Sequence, residues 1–172
     1  VHLRQVLTAG RELATFLRRH RDALPALARL SEQLAPPSEV EQVLARALDD
    51  DGVVRDEASD ELAAVRARMR EVRARLTRKL EALVQRHTMS DVVAEDYVTL
   101  RNNRFVIPVK SNFGQKLQGI VQDRSASGET LFLEPLFAVD LNNDLLLRAR
   151  EEERIVRRIL ADLTAMVREH VG

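Results

Sequence analysis

Apolar residues recur every third or fourth position along two long stretches of the chain, and in short strand-like runs between them. Over residues 60–87 the apolar positions are Leu62, Val65, Met69, Val72, Leu76, Leu80 and Leu83. Their spacing alternates mostly between three and four, which places them in one narrow stripe on a helix. Over residues 141–171, Leu145, Ala149, Val156, Ile159, Leu163 and Met166 form a heptad-like seam, with Glu152 as its polar exception. Two stripes of similar length predict two helices packed antiparallel, each about 40–45 Å long at ~1.5 Å per residue. The stripes by themselves fit a coiled-coil spacer just as well. The segment between them makes the difference.

That segment reads as strands. Asn102-Asn103 separates apolar runs at 97–100 and 104–109. Asn tolerates positive φ, so the pair suits a two-residue hairpin turn. Phe113-Gly114-Gln115-Lys116 predicts a second turn, 119–123 a third strand, Ser125-Ala126-Ser127-Gly128 a turn of small residues, and 130–133 a fourth strand ended by Glu134-Pro135. Pro108 has no N–H to donate, so it is expected at an edge or a bulge. Upstream, 3–34 reads as helix with a break at Pro25, and Pro36-Pro37-Ser38 marks a boundary. Ser38 and Glu41 have capping-box spacing for a short helix to about residue 48. Asp49-Asp50-Asp51-Gly52 is a polar turn, 53–55 is extended, and Ser59 caps the next helix.

The expected fold is therefore mainly α with a small antiparallel β tip, a long antiparallel helical hairpin carrying a sheet. By segment, 1–52 is a helical core piece, 53–96 and 136–172 hold the long helices, and 97–135 is the β-rich tip. An arm with a tip suits gripping a large partner better than enclosing a small substrate.

Composition adds limits. The 172 residues allow one or two domains with a real core. With 27 basic and 27 acidic side chains, no global polyanion-binding charge exists. The distribution is uneven, however. Residues 61–90 carry eight basic side chains (Arg66, Arg68, Arg70, Arg73, Arg75, Arg78, Lys79, Arg86) against three acidic ones, while 1–60 carry eight against eleven. One helix is basic on a neutral background, and local fields matter more than the total for a polyanion. There is no cysteine, which removes disulfides, thiol catalysis and zinc–thiolate sites. No signal peptide and no membrane-length apolar run is visible, so a cytoplasmic protein without membrane contact is expected. The chain opens on Val1 and reads as a piece of something longer.

No catalytic constellation emerges. His2, His20, His87 and His170 stand singly, without metal-ligand spacing. The Asp49–Asp51 run lacks the alternating oxygens and distal Glu of a calcium loop, and reads as a solvated turn. Ser125 and Ser127 have no local base. Asp123 and Glu134 are two carboxylates with nothing to fix their separation, and a structural role is expected of them. Gly114-Gln115-Lys116 is followed by Leu117 and lacks the earlier glycine of a phosphate-binding loop. No catalytic, cofactor-binding or metal-binding residue is therefore expected in this chain. The best functional candidates are cations on or beside the hairpin turns: Arg101, Arg104, Lys110, Lys116 and Arg124. Forked or mobile cations on an exposed edge are what phosphate contacts need. Nearby Asp and Glu also fit ordinary solvated charges. Tyr97, Phe105, Phe113, Phe132 and Phe137 are the aromatics available to stack, most of them expected in the sheet core.

Four motifs carry a family resemblance. They are Arg-Asn-x-Arg-aromatic-Val-Ile-Pro-Val-Lys at 101–110, Gly-Ile-Val-x-Asp at 119–123, Ser-Ala-Ser-Gly-x-Thr-Leu-Phe-x-Glu-Pro at 125–135, and Leu-Asn-Asn at 141–143. In this order the chain resembles the second bacterial MutS family, MutS2, most specifically over 50–160. The resemblance implies the core or lever helices and clamp of a homodimeric ATPase, with a P-loop domain following and a small MutS-related nuclease domain at the C-terminus. ATP and Mg²⁺ would belong to that ATPase domain, outside this chain. It also implies DNA as partner, branched structures above all, and suppression of homologous recombination. Two alternatives stand beside it: an arm touching rRNA on collided ribosomes, and a purely structural element for dimerisation and coupling.

Overall fold

A computed structural model describes residues 2–34, 38–114 and 117–171. It is mainly helical, with one small antiparallel sheet and a long C-terminal helix. The chain order is α1 (His2–Arg19), α2 (Pro25–Leu34), α3 (Ser38–Ala47), α4 (Asp60–Val84), β1 (Thr99–Arg101), β2 (Arg104–Lys110), β3 (Gly119–Arg124), β4 (Thr130–Pro135) and α5 (Leu136–Val171). No helix among the described residues is long and apolar enough to cross a membrane.

The chain divides into two compact units, 1–63 with 153–172, and 64–152. In the first, the anticipated break separates α1 from α2. Pro25 opens α2, where its missing N–H would have had no helical acceptor in any case. The boundary at 35–37 and the side chain of Ser38, with its capping box, lie outside what is described. The core is small: Val40, Leu44 and Ala47 of α3 meet Leu163 of α5, flanked by Leu7, Ile159 and Met166. Polar contacts tie its edges. Arg11 and Thr8 of α1 both reach Glu41 on α3, at 3.0 and 3.2 Å, and Arg158 pairs with Glu61. The polar turn forms as expected. Asp49 Oδ1 accepts from the Asp51 and Val53 amides at 3.0 and 2.8 Å, and Gly52 takes φ +83°. Ser59 caps α4 by accepting the Leu62 amide at 3.1 Å.

In the second unit, Val72, Leu76, Leu80 and Val84 of α4 share one core with Val92, Val93, Ile107, Val109, Leu133, and Ala138 and Leu145 of α5. The α4 stripe is thus the buried face. The α5 seam is shifted from its expected register. Ala149 is exposed, and in the first unit Ile155 rather than Val156 is fully buried. Glu152 interrupts the seam because it binds Arg66 of α4, Nε to Oε1 at 2.7 Å. α5 also starts earlier than the stripe showed, at Leu136, directly after β4.

The sheet order is β1-β2-β4-β3, all antiparallel. Asn102 and Asn103 adopt φ +51° and +60°, both left-handed, as a two-residue type I′ hairpin turn requires. Pro108 corrects its expectation. It lies in β2, a strand with neighbours on both sides, and pairs across to Phe132. It is tolerated because β1 pairs only as far as Val106 on the other side. There the segment at 92–94 takes over with a bridge at Val93–Val109, in which Ala94 donates to the Pro108 carbonyl at 3.0 Å. The absent N–H falls between those two partners. The bulge lies elsewhere, in β3, where Gln122 is the extra residue between Val121 and Asp123.

Candidate nucleic-acid interface

The five cations singled out from the sequence do not act alike. Arg104 opens β2 and turns inward. Its Nη1 meets Glu134 Oε1 at 2.7 Å and its Nη2 donates to Asn143 Oδ1 at 2.6 Å. Its side chain is 22% exposed, and that of Glu134 is 0%. Arg101 lies 3.3 Å from Asp123 and sits 3.9 Å above the ring of Phe132, so its charge is shared between an acid and an aromatic face. Lys110 and Arg124 are different. Both are exposed, and neither side chain has an ion-pair partner among the described residues. β4 brings them to one end of the sheet. Lys110 pairs with Thr130, and Arg124 with the next residue, Leu131. Their backbones lie two strand spacings apart, roughly 10 Å, and because Thr130 and Leu131 are consecutive the two side chains leave opposite faces of the sheet. Lys116 lies outside the described residues.

What holds Arg104 is a buried polar network whose members the sequence did not connect. Glu134 accepts from Arg104, from Gln122 Nε2 at 2.7 Å and from Asn142 Nδ2 at 2.9 Å. Asn142, on α5, also accepts the Phe105 amide at 2.9 Å and donates to the Phe105 carbonyl at 3.1 Å. In the β1–β2 hairpin, Phe105 pairs with Leu100 next to the closing Arg101–Arg104 pair. Its backbone groups therefore face β4, whose pairing with β2 stops at Ile107–Leu133. Asn142 stands in for the missing strand, and Asn102 Nδ2 adds a bond to the Gln122 carbonyl at 2.8 Å. The Leu-Asn-Asn motif and the Glu-Pro at the sheet's end thus fix the sheet onto α5. The signal available in sequence was polar residues, Asn142 and Asn143, at the head of an amphipathic helix. The bulge at Gln122 turns its amide towards Glu134.

The basic helix supplies further charge. Arg66 and Arg68 are paired with Glu152 and Glu71. Arg73, Arg75, Arg78, Lys79 and Arg86 are exposed, with no ion pair shown among the described residues. Of the five aromatics in and around the sheet, Phe132 is buried and Phe105 and Phe113 pack on the core, leaving Tyr97 and Phe137 outside. No group of three or more His, Asp or Glu side chains placed to hold a metal occurs among the described residues. Gly114 does not serve a phosphate either. A Cβ there would stand 2.7 Å from Leu131 Cδ1, so the glycine is spent on packing against the sheet.

These features define a helical protein whose small sheet is pinned to a long helix by buried polar groups and leaves unpaired cations outward. No family model matches the chain. Curated relatives do. Endonuclease MutS2 of Geobacillus sp. (strain WCH70) is 40% identical over 167 residues, covering 95% of this chain and 21% of that protein. Endonuclease MutS2 of Symbiobacterium thermophilum is 41% identical over 159 residues, covering 92% and 20%. That of Brevibacillus brevis is 42% identical over 161, again 92% and 20%. The chain belongs to the MutS2 family, as a segment spanning about a fifth of the length of the relatives it matches.

Proposed function

We propose that this chain is the nucleic-acid-gripping part of a MutS2-type protein, with α4 and α5 as paired lever helices and the sheet as a clamp tip. The observation that carries this reading is the exposed, unpaired state of Lys110 and Arg124 at one end of the sheet, together with Arg73, Arg75, Arg78, Lys79 and Arg86 on α4. Cations free of internal partners are the ones able to exchange counterions for phosphates. In this reading Arg101 and Arg104 shape the tip, and Lys116 shares the task of contact. Nothing in the tip is arranged to read base edges, so discrimination follows DNA shape. A branched junction presents phosphates from several arms at once, and a homodimer would bring two tips to it. ATP hydrolysis with Mg²⁺, and cleavage, belong to other parts of the parent protein, which acts in the cytoplasm to suppress homologous recombination at branched intermediates.

The test is a salt series with the full-length protein on a four-way junction, blunt duplex and structured RNA. Lys110→Ala with Arg124→Ala is expected to weaken binding to all sequences alike and to lower the slope of log K against log salt by roughly two. The junction is expected to bind tightest. Unchanged affinity and slope, with the five α4 cations also replaced, would remove the reading. Tightest binding to RNA would move it to the ribosome.

A further inference from the structure

A cavity of about 650 Å³ lies between the C-terminal turns of α4 and the start of α5, lined by Lys79, Leu83, Arg86, Leu117, Gln118, Pro135, Leu136 and Phe137. Its volume falls in the range of small-ligand sites. Its lining holds two cations and no carboxylate. Lys79 and Arg86 are seven residues apart, two turns along one face of α4 and roughly 10 Å along its axis. They therefore flank the cavity rather than converge on one point. Phe137 is 44% exposed at the mouth, beside the more exposed Leu136. Gln118 is exposed. Its backbone carbonyl accepts the Leu136 amide at 3.1 Å, and its side-chain amide has no hydrogen bond shown among the described residues.

Resting on the nucleic-acid reading above, we propose that this cavity takes one unpaired nucleotide of a DNA strand. Phe137 stacks on the base, Lys79 and Arg86 hold the phosphates on either side, and Gln118 meets the base edge with an amide able to donate and accept. An aromatic platform between cations, with no carboxylate in the lining, is the arrangement that binds single strands with little sequence preference. A paired base has both faces covered by its neighbours and cannot offer one to Phe137 without leaving the stack. The cavity thus discriminates paired from unpaired DNA, which the cations of the sheet cannot do, because phosphates occur in both. Branch points and gaps are where a duplex substrate exposes such nucleotides.

The experiment uses the full-length protein with a duplex carrying a short single-stranded gap, 2-aminopurine at the central gap position, and the matching blunt duplex. Binding is expected to quench the probe. Phe137→Ala is expected to weaken gapped-DNA binding about tenfold and abolish the quench, while blunt-duplex affinity stays unchanged. Phe137→Leu keeps the apolar surface but not the ring, and is expected to behave as the Ala variant. Lys79→Ala with Arg86→Ala is expected to lower the salt slope on a single strand by about 1.4. No quench, or equal losses on gapped and blunt DNA, would overturn the proposal. So would a lowered melting temperature in Phe137→Ala with binding intact, which would place the ring in a contact within the protein. Tighter binding of a gap with RNA in the unpaired strand would overturn the choice of DNA. If duplex binding responds to Lys110 and Arg124 while Phe137→Ala changes nothing, the cavity fails and the clamp stands. If no nucleic acid binds with any salt dependence, the clamp itself fails.

Discussion

The two compact units solve the problem of a core differently. Residues 64–152 surround a continuous apolar cluster drawn from α4, the sheet and the start of α5, and beside it a carboxylate removed from water. Residues 1–63 with 153–172 gather a much smaller cluster. They leave Val6, Leu13 and Phe16 of α1, and Leu27 and Leu30 of α2, facing outward. The first arrangement fixes orientation as well as stability. Apolar contacts are non-directional, whereas Glu134 has one geometry in which Arg104, Gln122 and Asn142 all reach it. The proposed grip, which needs Lys110 and Arg124 held in place, would draw on that rigidity.

The largest expected effect tests the apolar half of this contrast. Leu76 is completely buried on α4. Leu76→Asp would place a charge there with no partner, and a loss of roughly 5 kcal/mol is expected in urea denaturation. A loss under about 2 kcal/mol would mean that the core of 64–152 yields far more easily than its packing implies.

Next comes the polar half. Arg104→Ala leaves Glu134 buried without its cation and is expected to cost about 3–5 kcal/mol. Adding Glu134→Leu to Arg104→Ala should recover much of that, since removing both charges relieves the unpaired one. If Arg104→Ala leaves stability unchanged yet flattens the salt dependence of DNA binding, Arg104 is a phosphate contact after all and the division of the tip cations is wrong. Asn142→Ala removes a smaller piece. It exposes no charge but strands the backbone groups of Phe105, for an expected loss of about 1–3 kcal/mol. Faster amide exchange at Phe105 than at Ile107 would identify the cause, because Ile107 keeps its partner Leu133.

Local signals were legible in the sequence and non-local ones were not. The Asn102-Asn103 turn, the Asp49 turn, the Ser59 cap and the α4 stripe each depend on residues within one or two turns of one another. Their chemistry is written in adjacent letters. The Glu134 network joins residues 104, 122, 134 and 142, and nothing in a one-dimensional pattern sets those distances. The same gap explains Arg104. On a strand near a turn it has the same neighbours in sequence as a free cation, and only the fold turns it towards a carboxylate. The α5 seam slipped because Ala149 and Val156 fit a seven-residue repeat, while the helix instead buries Ile155 and admits Glu152 to meet Arg66. α5 begins ahead of the seam from which it was read, because its first turn, from Leu136, carries none of the seam positions.

The smallest expected effect probes the helical unit. Phe16 is 53% exposed on α1 and touches His20, with ring centroids 4.3 Å apart. Half of its surface already meets water, and the ring contact is on the same helix, so Phe16→Ser should change the stability of this chain by no more than about 0.5 kcal/mol. The measurement becomes informative when repeated in the full-length protein. An equally small change there would confirm that the outward apolar residues of α1 are ordinary surface, since scattered exposed apolar side chains are normal. A loss of about 2 kcal/mol or more in the full-length protein alone would mean that another surface of that protein covers α1. The contrast between the units would then sharpen: 64–152 carries its own core, whereas 1–63 with 153–172 completes its core against a neighbour.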